Sequence, residues 1–67
     1  MWTRTTDAKG RALLCGPVSI RDNMHADFVE IVVGKKVTVV FVHELPRWMA
    51  LYGVPMPSAR DLAWVTA

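Results

Sequence analysis

Two runs rich in β-branched residues, Phe28 to Val33 and Lys36 to Val42, are separated only by Gly34-Lys35, and this constrains the chain more than any other feature. Seven of the ten valines fall between residues 29 and 42, where with Phe28, Ile31 and Phe41 they make two β-branched runs that read as strands. Glycine at the first central position suits a type II′ turn, whose twist matches that of the strands it joins. The resulting hairpin register sets Val33 opposite Lys36, Val32 opposite Val37 and Phe28 opposite Phe41. One face then carries Phe28, Glu30, Val32, Val37, Val39 and Phe41. The other carries Val29, Ile31, Val33, Lys36, Thr38, Val40 and Val42. Both faces are mostly apolar, as in strands covered on two sides.

An isolated hairpin is marginal in water, so further strands are required. Arg11 to Cys15 and Val18 to Arg21 supply them, separated by Gly16-Pro17, with Asp7-Ala8-Lys9-Gly10 as a turn and Asp22 to His25 as a loop. A meander of three or four antiparallel strands follows. After His43 the period changes to that of a helix. Leu45, Trp48, Met49 and Tyr52 share one helical face, Pro46 is tolerated in the first turn and Gly53 ends the element. Val54-Pro55-Met56-Pro57 cannot be helical, and Ser58 to Asp61 offers a capping-box-like start for a last short helix through Trp64. In that helix Ala59, Leu62, Ala63 and Thr66 are expected to face the core. The fold class is therefore α+β: a small antiparallel meander centred on residues 28–42, then two short C-terminal helices, in one domain spanning 1–67.

Length now becomes informative. A chain of 67 residues buries only about 60% of the surface it exposes when unfolded, and 52% of this chain is apolar. Two short helices can shield one side of the hairpin, and the other side needs a cover from outside: a second copy or a larger protein.

The chemistry-bearing residues are sparse. Cys15 is the only cysteine, which excludes an internal disulfide and a multi-cysteine zinc site and makes the reducing cytoplasm the expected compartment. It follows Leu13 and Leu14 in a strand, where a small apolar core side chain is the simpler reading than a nucleophile. His25 with Asp27, and His43 with Glu44, are local pairs, whereas zinc needs three or four converging ligands. His43 reads as a hydrogen-bonded hinge residue at the strand end. No glycine-rich phosphate loop is present. The expectation is a protein that is not an enzyme and has no cofactor or metal. An acid at Asp7, where a signal peptide needs apolar residues, and the interruption of the apolar run by Glu30 and Gly34-Lys35-Lys36 argue against a leader or a membrane span.

Eight Lys and Arg against six Asp and Glu give a net charge of +2, too small an excess to mark a nucleic-acid surface by itself. A small nucleic-acid-binding transcriptional regulator remains the alternative function, with Lys35 and Lys36 at the hairpin tip on phosphates. Its strand-helix-helix order matches that of ribbon-helix-helix repressors only superficially: an extra strand precedes the ribbon, and Val40 and Val42 stand where base-reading polar residues are needed. The last twenty residues concentrate Trp48, Tyr52, Trp64, Arg47 and Arg60, residue types enriched in protein interfaces. Trp64, Arg60, Arg47 and Tyr52 are accordingly the expected partner-binding residues, with Trp64 and Arg60 as an exposed pair. The reading that follows is a protein-binding regulator or inhibitor, of the kind that phages and other mobile elements encode, acting on a larger protein by occupancy, as a monomer or a homodimer.

Overall fold

A computed structural model describes residues 1–67. Five strands, β1 (Thr3–Asp7), β2 (Gly10–Cys15), β3 (Val18–Asp22), β4 (Phe28–Val33) and β5 (Lys36–Phe41), form one antiparallel sheet in the order β1-β2-β3-β4-β5. A single 3₁₀ turn, Val42–Glu44, leads into α1 (Leu45–Tyr52), and a proline-rich link leads to α2 (Ala59–Thr66). The fold class is the α+β meander with two C-terminal helices, with β1 as an additional strand. Thr-Arg-Thr-Thr-Asp has no apolar alternation to announce a strand. It is held instead by its pairing with β2, from Thr3 opposite Leu14 to Asp7 opposite Gly10.

The β4–β5 register is the one the turn dictates: Val33 faces Lys36, Val32 faces Val37 and Phe28 faces Phe41. Gly34 takes φ 60° while Lys35 keeps a negative φ, as a type II′ turn requires. Gly53 caps α1 at φ 71°, and the Ser58 hydroxyl accepts a hydrogen bond from the Asp61 N–H to start α2.

The core lies between the helices and one face of the sheet. Leu13, Val18, Ile20, Val29, Ile31 and Val40 point into it from four strands, and Leu45 and Met49 of α1 and Val65 of α2 close it from above. The helical face of α2 differs from the sequence expectation. Val65 is buried and Leu62 packs against the core, whereas Ala59, Ala63 and Thr66 are exposed. The bulkier apolar pair outcompetes the alanines for the available burial, because burial energy scales with apolar area. Electrostatics fixes the same rotation: Arg4 of β1 donates to Asp61 at 2.9 Å, and Arg11 of β2 donates to the Trp64 carbonyl at 3.0 Å. Trp2 secures the link between the helices by donating its indole N–H to the Pro55 carbonyl at 2.6 Å.

On the opposite, outer face, Arg21 of β3 forms a two-pronged ion pair with Asp7 at the end of β1. The Arg21 hydrogen bonds, aided by the Lys9 N–H, hold the Asp7 carboxyl below its usual range. A carboxyl with a lowered folded-state pKa stabilises the fold above its unfolded value, and that contribution is lost as pH falls through the folded value. Acid unfolding should therefore begin below about pH 4 in part through this pair. Asp7→Asn is expected to flatten the acid limb of a stability–pH curve while leaving the neutral plateau shape unchanged. An unaltered acid limb would show that the pair does not couple to folding.

Candidate protein-binding surface

Both helices pack on the inner face, so nothing in the chain covers the outer side of the hairpin. Period-two alternation places Phe28, Glu30 and Val32 of β4 and Val37, Val39 and Phe41 of β5 there. Val37, Val39 and Phe41 remain 56%, 52% and 45% exposed. The Phe28 and Phe41 rings contact each other with centroids 4.4 Å apart, and the His43 ring stacks on Phe41 at 5.1 Å. His43 is thus an exposed stacking partner rather than a hydrogen-bonded hinge, its Nε2 standing 3.9 Å from Glu44 Oε1. Toward β3 the outer face turns polar, with Ser19, Arg21 and Glu30, the last accepting a hydrogen bond from Asn23 at 3.0 Å. The exposed apolar side chains of the outer face are therefore concentrated on the two hairpin strands, with Leu14 of β2 as a further one beyond Ser19.

The patch continues around the free edge of β5. Val39, Val40 and Phe41 of the strand and Glu44, Arg47, Trp48, Ala50 and Leu51 of the following segment line an open groove of about 760 Å³. Leu51, at 72% exposure, is the most exposed of the large apolar side chains there. An apolar floor with Arg47 and Glu44 at its rim suits contact with another macromolecule.

The expected partner-binding residues divide among separate places. Arg47 is exposed at the groove, its guanidinium 4.0 Å from Glu44. Tyr52 is half-buried, stacked on Trp48 at 6.4 Å and packed against the core. Arg60 is exposed on α2. Trp64 is partly buried, and the guanidinium groups of Arg4 and Arg11 sit over its ring at 5.2 and 5.5 Å. Trp64 is thus engaged by two strand arginines, and only Arg47 of the four joins the hairpin surface. Lys35 and Lys36 are exposed at the turn. Val37, Val39 and Phe41 were not singled out as a site from sequence. Their signal was the hairpin alternation itself, which defines two faces without saying which one the helices take.

No group of three or more His, Cys, Asp or Glu side chains converges on a metal-sized space. Cys15 is partly buried at the end of β2, with the N-terminal amine 4.0 Å from its Sγ. No helix is long and apolar enough to cross a membrane. Comparison with protein-family models, with curated proteins and with solved structures finds no match to the chain.

Proposed function

We propose that this protein is a non-enzymatic regulator or inhibitor that acts by occupying a surface of a larger protein, with the outer face of β4–β5 as its contact surface. The observation that carries the reading is the half-exposed row Val37, Val39 and Phe41, on the face that neither helix covers. Soluble proteins seldom leave a contiguous apolar patch rimmed by charge unless something binds it. Arg47 and Leu51, at the adjoining groove, extend the same surface with one charged and one apolar anchor. Binding of this kind needs no reaction centre: the effect comes from what the bound chain excludes.

The test uses Val37→Thr with Val39→Thr, which keeps strand propensity while removing apolar contact. Immobilised wild-type chain is expected to retain a protein in stoichiometric amount from nuclease-treated lysate of its source cells. The double variant, with unchanged circular dichroism, should lose at least about tenfold in affinity for that protein, the loss expected when hot-spot contacts are removed. Retention indifferent to the double variant would overturn the reading. So would retention that disappears with nuclease, falls steeply with salt and depends on Lys35 and Lys36, which is nucleic-acid behaviour.

A further inference from the structure

We infer that two copies of this chain pair edge to edge through β5, in antiparallel register centred on Val39, to make a continuous ten-stranded sheet. The sheet is open, so β1 and β5 each present one unpaired backbone edge. The two edges are built differently. β1 is polar throughout, and its Arg4 and Asp7 are tied into ion pairs with Asp61 and Arg21. β5 reads Lys-Val-Thr-Val-Val-Phe, with no proline and a single charge at its hairpin end. Unpaired edges of monomeric proteins are normally protected by charge, proline, bulges or covering loops, and β5 has little of this.

The register of β5 on β4 decides which backbone groups are free. In a two-residue hairpin the closing pair, Val33 and Lys36, exchanges both hydrogen bonds, and every second pair repeats the pattern. Lys36, Thr38 and Val40 therefore turn their N–H and C=O groups toward β4, while Val37, Val39 and Phe41 turn theirs to the open edge. These are the three residues whose side chains form the exposed outer row. An antiparallel partner satisfies all three at once only when Val39 meets its own copy and Val37 meets Phe41 of the second chain.

That register is self-complementary in side chains as well. On the outer face it sets valine against phenylalanine, a favourable cross-strand pair, at two symmetric positions. It also brings the basic tip, Lys35 and Lys36, beside the Val42–Glu44 turn of the second copy. Glu44 is reachable there, with 39% of its side chain exposed and only long contacts within the chain, to Arg47 at 4.0 Å and to His43 at 3.9 Å. The alternative β1–β1 pairing offers no apolar row and would disturb side chains already in ion pairs. Edge pairing leaves the outer face uncovered and joins the two apolar rows into one stripe across the dimer axis. The pairing takes the β5 edge and the groove along it and leaves a larger partner the outer face, so its failure and that of the proposed function are distinguishable.

Sedimentation equilibrium up to about 500 µM chain tests it, a range chosen because one strand pair is small beside the roughly 1,600 Å² of a standard interface. The wild-type mass is expected to rise toward twice that of the monomer. Val39→Pro removes an edge-facing N–H at a position where an edge strand tolerates proline, and should hold the mass at one chain. Because that variant could also weaken the fold, a second route uses Cys15→Ser with Val39→Cys. Mild oxidation should cross-link this chain to itself, while Thr5→Cys on β1 in the same background should not cross-link. A wild-type mass that stays monomeric overturns the inference, including the case in which only a foreign strand fills the edge. A dimer that cross-links through Thr5→Cys and not through Val39→Cys overturns it equally. A monomeric wild type combined with partner loss in the Val37→Thr, Val39→Thr variant would remove the dimer and keep the proposed function.

Discussion

Ile31→Ala is expected to remove a large share of the protein's stability. Ile31 sits on β4 at the centre of the inner face, opposite Thr38 on one side and Ile20 on the other, with 1% of its surface exposed. Deleting three buried carbons removes their transfer energy and leaves a cavity, together about 2–5 kcal/mol. The core cluster has only nine fully buried members, so few neighbours can collapse into the gap. A domain of this length has a total stability on the order of 3–10 kcal/mol at typical per-residue values. One side chain thus carries about half of the whole. The measurement is a urea titration followed by circular dichroism, and a loss below about 1 kcal/mol would show that β4 does not anchor the core as described.

Trp64→Ala is the second large effect, and the expected loss is of stability. The indole packs against the core from α2 while Arg4 and Arg11 lie over its ring. Each cation–π contact at a partly exposed site contributes roughly 0.5–1 kcal/mol, and half-burial of a large ring adds a comparable amount. A total loss of about 2 kcal/mol is expected, with Trp64→Phe restoring around half because it keeps an aromatic face. The tryptophan holds α2 to β1 and β2, so the loosened helix should also show faster amide exchange from Leu62 to Val65 than the sheet does. Unchanged stability in Trp64→Ala would place the ring outside the fold's support and return it to the contact surface.

The parts of the fold that were legible in the sequence are those where local chemistry leaves few choices. Gly34-Lys35 between β-branched runs fixed the hairpin and its register, Pro46 and Gly53 bounded α1, and Ser58 began α2. β1 escaped because a polar edge strand has no apolar period, and its evidence lies in the partner strand. The rotation of α2 escaped for a related reason. Alanines at helical spacing resemble a packing face until Val65, Leu62 and the Arg4–Asp61 pair are seen to compete for it. The roles of Arg4 and Arg11 depend on contacts 57 and 53 residues away, beyond the reach of any local pattern. For the candidate surface the alternation showed two apolar faces, and only the position of the helices shows that the Val37, Val39, Phe41 face is the uncovered one.

The central claim is that this outer row serves something other than the chain's own stability. Urea unfolding of Val37→Thr with Val39→Thr, at a chain concentration below that of self-association, tests it most directly. A change within about 0.5 kcal/mol of wild type is expected, the range typical of surface substitutions. A loss of more than about 2 kcal/mol would contradict the account, because it would make the two valines part of a core that the chain completes by itself.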